Sequence, residues 1–280
     1  MASAQVTATT VERPRAYATA GAHGRARDWA EIQERMLVPL YQAVYQRLEV
    51  GAATSLLGLG CRSGLALLLA AERGALVAGV EEAPELRELA EGRGLQVAPA
   101  ASAHSPAGPG EVTARSAYGL PRAAHSLVTV FEQLPYAVRP SELVADAAAR
   151  TLPGGQVVLA SWGPPERCES AAVLEVARRR SPRAPGHGPF GLSAPGALEG
   201  LLAGAGLRPA GSGRVTCPFA YADLDEAVRG MLSTGLYERA VEDSGQALVA
   251  KELEESLHPF VRADGSVRMT NVFRYVVADR

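Results

Sequence analysis

Residues 55–82 read SLLGLGCRSGLALLLAAERGALVAGVEE, and this stretch decides the fold. The apolar run at 54–59 has the length and composition of a buried strand. Gly58, Gly60 and Gly64 then mark a turn, and 63–73 reads as an apolar helix stopped at Gly74. Residues 75–80 form a second apolar strand that closes on Glu81 and Glu82. Strand, glycine turn, helix and strand make one βαβ unit, which requires a parallel pair joined by a right-handed crossover. Glycine in such a turn allows positive φ and leaves room for a ligand at the start of the following helix. Glu81 follows Gly60 by 21 residues, where an acid reaches the hydroxyls of a nucleoside ribose. Two residues cut across this reading. Arg62 puts a long cation inside the turn, and Ser63 stands where the strict dinucleotide pattern has Gly or Ala. A tight βα turn with no cofactor is the competing reading.

Outward from this unit the chain keeps alternating. Upstream, Asp28 is placed to cap a helix over 29–47, with Met36, Leu37, Leu40, Tyr41, Val44 and Leu48 on one face. Pro39 should kink or split it. Downstream come a helix at 84–92, a short strand at 96–98, a strand at 126–131, a helix at 141–152 and a strand at 156–162. Four strands with intervening helices predict a parallel sheet. After Trp162 the pattern changes. Helices are expected at 170–180 and 194–205, the latter capped by Ser193, with a strand at 215–220. Residues 223–257 read as helical with breaks near Gly235 and Gly245, and 270–277 as a terminal strand. The expected organisation is a disordered tail (1–25), a helical segment (26–50), a cofactor-binding core (51–222), a helical lid (223–262) and a last core strand (263–280).

Composition narrows the function. The 28 basic and 30 acidic residues nearly cancel at a net charge of −2, which argues against a nucleic-acid partner. No stretch approaches the ~18 apolar residues of a membrane helix. The N-terminus lacks the apolar core of a signal peptide, so a cytoplasmic protein is expected. Cys61, Cys168 and Cys217 have neither metal-ligand spacing nor even number, and read as buried thiols with no metal site. Lys251 is the one lysine, so Schiff-base chemistry would have to use it.

Several segments together resemble the class I S-adenosylmethionine-dependent methyltransferases, particularly small-molecule enzymes of bacterial secondary metabolism. They are DWAEIQERMLVPLYQAV, LLGLGCRSG, VAGVEEAPEL, GLP at 119–121, RTLPGGQVVLASWGPPERCE, LSAPGALEGLLAGAGL and FRYVVADR, so the likeness spans 29–280. It implies an α/β Rossmann-like fold: a seven-stranded, mostly parallel sheet of order 3-2-1-4-5-7-6 with N-terminal helices and a helical lid. It also implies S-adenosylmethionine as cofactor, a small-molecule substrate and a possible homodimer. The cofactor-binding set carried over is Gly58, Gly60, Cys61, Arg62, Gly64, Glu81, Glu82, Ser116, Ala117 and Glu132. Gly60, Gly64 and Glu81 match the family. Gly58 replaces an acid, Ser116 falls where an acid meets the adenine amino group, and the position near Glu132 lines the methionine end in relatives. Arg62 replaces a glycine, with two readings open: it pairs with the methionine carboxylate, or its side chain fills the methionine's space.

A methyltransferase needs mainly alignment and desolvation, with at most one added base. His23, His258 and Glu132 are the candidates for that base, while His104 and His187 lie in Pro/Gly loops and read as surface residues. Trp29, Tyr41, Tyr136 and Trp162 are candidates to line an apolar acceptor pocket, with Phe219 beside them. The expected activity is methyl transfer to a small, largely apolar metabolite. The alternative is an enzyme of this fold that has lost methyl transfer and performs a cyclisation, rearrangement or elimination, with S-adenosylmethionine structural or absent. A non-catalytic binding protein is the third reading.

Overall fold

The computed structural model describes residues 21–99, 125–181 and 188–280. Among them, one seven-stranded sheet has the order β3-β2-β1-β4-β5-β7-β6. Its strands are β1 Ser55–Leu59, β2 Leu76–Glu81, β3 Val97–Pro99, β4 His125–Val130, β5 Thr151–Trp162, β6 Arg208–Tyr221 and β7 Val267–Asp279. Strands β1 to β5 pair in parallel, and β7 runs antiparallel to β5 and β6. This is the expected fold class.

Helices cover both faces, which is why the central strands are apolar at nearly every position rather than at alternate ones. Leu57, Leu59, Val128 and Val130 face α5 (Pro140–Arg150) and α7 (Ala197–Gly204). Leu56 and Leu127 face the other way, into a larger core built with α3 (Leu65–Ala71), α4 (Pro84–Gly92) and α6 (Ala171–Arg180). The same core takes in the N-terminal helices and the helices between β6 and β7.

The N-terminal run is longer and less regular than expected. Helix α1, Ala22–Asp28, begins inside the segment assigned to the tail. Asp28 is not a cap: its backbone is helical, and its carboxylate pairs with Arg229 at 3.1 Å. The chain then widens into one π-type turn at Trp29–Gln33 and tightens into a 3₁₀ turn at Glu34–Leu37 before α2, Val38–Arg47. Pro39 explains the change in winding. It cannot donate to the preceding turn, so regular α hydrogen bonding restarts around it.

Between β6 and β7 lie α8 (Leu224–Ser233), α9 (Glu238–Ser244) and α10 (Gln246–Leu257). Asp223 caps α8 by accepting from the Glu226 N–H at 2.8 Å. Gly235 and Gly245 break the run, each at φ +84°. Helix α8 packs on α1 and the Trp29–Gln33 turn, and α10 packs on α6. Among the described residues, no helix is long and apolar enough to cross a membrane.

Candidate active site

The glycine turn has the expected backbone and unexpected neighbours. Gly60 lies at φ +65° and Gly64 at φ +88°. A Cβ on Gly60 would stand 2.5 Å from Gln133 Oε1, and one on Gly64 would stand 2.3 Å from Leu95 Cδ1. Both glycines are therefore demanded by protein side chains packed against them. A Cβ on Gly58 would stand 3.1 Å from Leu67 Cδ2 and 3.3 Å from Cys61 Cβ. Cys61 is buried, and burial raises its thiol pKa, so it is a packing group rather than a nucleophile.

Glu81 ends β2 as expected, only 3% exposed. Its Oε2 accepts from the Arg62 N–H at 2.7 Å and its Oε1 from the Ala83 N–H at 3.0 Å. The carboxylate braces the two loops at the strand ends. Glu82, the next residue, is exposed.

Arg62 is itself left-handed, at φ +52°, and its side chain turns inward, 12% exposed. The guanidinium lies 4.3 Å from the Trp29 ring centre and 5.4 Å from that of Tyr136. It donates to the carbonyls of Thr234 at 3.0 Å and Ser233 at 3.4 Å, the last acceptors of α8. A cation there complements the negative end of the helix dipole. The Tyr136 hydroxyl donates to the same Thr234 carbonyl. Arg62 thus ties the glycine turn to the helical insert.

Glu132, just past β4, stands on the other side of Arg62. Its Oε1 accepts from the Tyr41 hydroxyl, while its Oε2 lies 3.9 Å from Arg62 Nε, beyond hydrogen-bond range. Three buried polar atoms gather here without a partner: Glu132 Oε2, Arg62 Nε and Trp29 Nε1. Burial pushes the Glu132 carboxyl up to about 8, against the opposing pull of Arg62 and Tyr41. Burial, then the Glu132 charge, hold the Tyr41 phenol well above its usual range. Beside these groups is a cavity of about 40 Å³, walled by Trp29, Phe131, Tyr136, Trp162, Phe219 and Phe273. Trp162 lies tilted against Phe273 at 4.5 Å and meets Phe219 edge-on at 5.7 Å. A space of this size holds about one water.

The expected residues therefore divide. Trp29, Tyr136, Trp162 and Glu132 meet at the cavity, and Tyr41 reaches it through Glu132. His23 lies on the surface, 3.5 Å from Glu88, and His258 is exposed at the end of α10. Neither is among the residues lining the cavity. Ser116, Ala117, His104 and His187 lie outside the described residues. Sequence reading missed Gln133, whose only signal is its place beside Glu132. It also missed a buried cluster: Glu34 accepts from Arg93 at 2.6 Å and from the Ser63 hydroxyl, and Arg93 donates to the Ser63 carbonyl at 2.8 Å. Ser63 is thus a polar clasp between the turn and the N-terminal run.

No protein-family model and no curated protein matches the chain by sequence. Solved structures do match it in fold. YjhP of Escherichia coli is 16% identical, with 92% of this chain and 99% of that one covered at a TM-score of 0.54. A candidate methyltransferase of Bacillus halodurans is 14% identical, with coverage of 85% and 97% and a TM-score of 0.52. Phosphoethanolamine N-methyltransferase 2 of Haemonchus contortus, solved with S-adenosyl-L-methionine, is 14% identical, with coverage of 93% and 57% and a TM-score of 0.52. The chain therefore has the Rossmann-like class I methyltransferase fold. At these identities the likeness is one of fold.

S-adenosylmethionine does not fit the described residues in the way the resemblance implies. The methionine ammonium has no acid at Gly58. Gln133 fills the cradle at Gly60, and the Arg62 side chain ties the turn to the end of α8. Glu81 is buried with both oxygens engaged.

Proposed function

We propose an enzyme of the class I methyltransferase fold that acts on a small, largely apolar molecule. Of the two activities such a site can host, the geometry favours proton transfer by Glu132 over methyl transfer. The observation that carries this reading is the Arg62 side chain, which leaves the glycine turn to bind the Ser233 and Thr234 carbonyls and pack on Trp29 and Tyr136, tying that turn to α8. Glu132 has the properties of a general base. It is buried in an aromatic enclosure, has one oxygen without a hydrogen bond, and once ionised, above a pKa of about 8, is a stronger base than an exposed carboxylate. The Tyr41 hydroxyl holds its other oxygen in place. A cyclisation, rearrangement or elimination needs such a group to take a proton from one carbon and return it elsewhere.

The reading is tested with α-tetralone, an apolar ketone, in deuterated water. Glu132 takes an α-proton, and the exchanged acid returns a deuteron, which NMR detects at the α-carbon. Exchange above the buffer rate that falls by about 10²-fold in Glu132→Gln is expected. Wild-type exchange at the buffer rate, or an unaffected variant, contradicts the reading.

Methyl transfer is the second reading. It is supported by Gly60, Gly64 and Glu81 standing at the expected turn and strand end, and by the cofactor bound to the Haemonchus contortus enzyme on the same fold. It requires the Arg62 tie to α8 to be released.

A further inference from the structure

The buried end of Arg62 has a chemistry that neither proton transfer nor packing uses. A guanidinium offers five donors in a planar fork that matches a carboxylate. Here its acceptors are two main-chain carbonyls at 3.0 and 3.4 Å, while Nε has none. The surrounding carboxylates do not take that role. Glu34 is engaged by Arg93 and Ser63. Glu81 accepts from backbone N–H groups, and Glu132 Oε2, 3.9 Å from Nε, pairs with Arg62 in charge without a hydrogen bond. Trp29 Nε1, an indole donor buried in the same wall, also lacks an acceptor. Trp29 lines the cavity, and Arg62, which does not, packs on the Trp29 and Tyr136 rings that do. Two donors without acceptors therefore lie at an aromatic wall and match an oxygen anion carried on an apolar body.

We propose that Arg62 and Trp29 bind the carboxylate of an otherwise apolar, ring-bearing substrate, which replaces the Ser233 and Thr234 carbonyls on Arg62. This rests on the small-molecule reading above and names its substrate class. The cavity as it stands admits about one water, so the ring enters as the turn between α8 and α9 is displaced. That turn is where Arg62 and Tyr136 hold Thr234, next to Gly235 in its left-handed conformation. A ligand carboxylate removes the Arg62 tie and so favours the open turn. Glu132 sets the pH dependence. The groups facing it are Tyr41 and Tyr45 from α2, Glu34 from the 3₁₀ turn, Cys61 and Arg62 from the glycine turn, Glu81 from β2 and Tyr136 from the turn after β4. When Glu132 ionises, its charge beside Arg62 competes with the ligand's.

The test compares 3-phenylpropanoate with 3-phenylpropanamide, its neutral isostere, on the full chain. The readout is built in, since the two tryptophans of the sequence, Trp29 and Trp162, both wall the cavity. At pH about 6.5 the carboxylate is expected to bind about tenfold more tightly, as a charge-assisted contact implies. The preference should shrink as pH rises through about 8. Arg62→Gln should reduce the preference to about twofold or less, and Arg62→Lys should retain part of it. Equal wild-type affinities, no emission change with either probe, or an undiminished preference in folded Arg62→Gln each overturn the proposal. The wild-type ratio decides the matter alone if the variants fail to fold. Because this assay needs no turnover, the carboxylate site and the Glu132 base stand or fall separately. A preference without α-tetralone exchange removes only the base.

Discussion

Arg62 combines two costs at one position: a left-handed backbone on a residue with a Cβ, of order 1 kcal/mol, and a guanidinium taken out of water. Both persist because Glu81 holds its N–H and the α8 carbonyls hold its side chain. Glu132 is the complementary case, a carboxylate held where its charged form is disfavoured. Its folded pKa, about 8, lies above the ordinary 4.5, so the folded chain binds more protons than the unfolded one between those values. Stability should therefore fall as pH rises across that window, by up to about 1.4 kcal/mol per unit. Urea unfolding at several pH values checks this. In Glu132→Gln the slope from this group should vanish, and the variant should be the more stable protein near pH 8. A wild-type profile no steeper than the variant's would mean that Glu132 is not held in this way. At this scale the sequence was partly legible. A long cation in a glycine turn and an acid after the fourth strand can be singled out by residue type. That the glycines are filled by Gln133 and Leu95 cannot, because those contacts come from distant segments.

Among the elements, the N-terminal run is tied to the glycine turn by the Glu34–Arg93–Ser63 cluster. Replacing Arg93 by Met would leave the Glu34 charge, 5% exposed, without its partner. Loss of one partner from such a pair costs about 3–5 kcal/mol. Equilibrium unfolding of Arg93→Met should show a loss of that order, whereas a loss below about 1 kcal/mol would make the cluster a surface pair. Element reading from sequence succeeded where signals were local, as at the glycine breaks of the insert near Gly235 and Gly245. It failed where a partner strand decides. Strand β6 begins thirteen residues before its end at Tyr221, although Pro209, Gly211 and Gly213 weaken its first half. Pairing with β7 from Arg208 to Tyr221 holds it, and Gly213 is needed because Tyr275 lies across it. The PGG turn at 153–155 likewise falls within β5, where the pairing with β4 shifts register. Helix α7 starts at Ala197 behind Gly196, because the Ser193 hydroxyl is used on the Phe190 carbonyl instead of capping.

For the whole molecule, the parallel βαβ core was legible in the sequence itself, and the sheet order was the one the resemblance implies. What the fold does with its ligand end was not. The same strand–turn–helix shape serves a cofactor cradle or a tight turn closed by its own side chains. Only the tertiary placement of Arg62, Gln133 and Glu81 separates the two. The central claim is that the turn is closed. Calorimetric titration of the wild-type chain with S-adenosylmethionine and S-adenosylhomocysteine tests it most directly. The account predicts no saturable binding of either up to about 1 mM; binding at about 10 μM or tighter would contradict it.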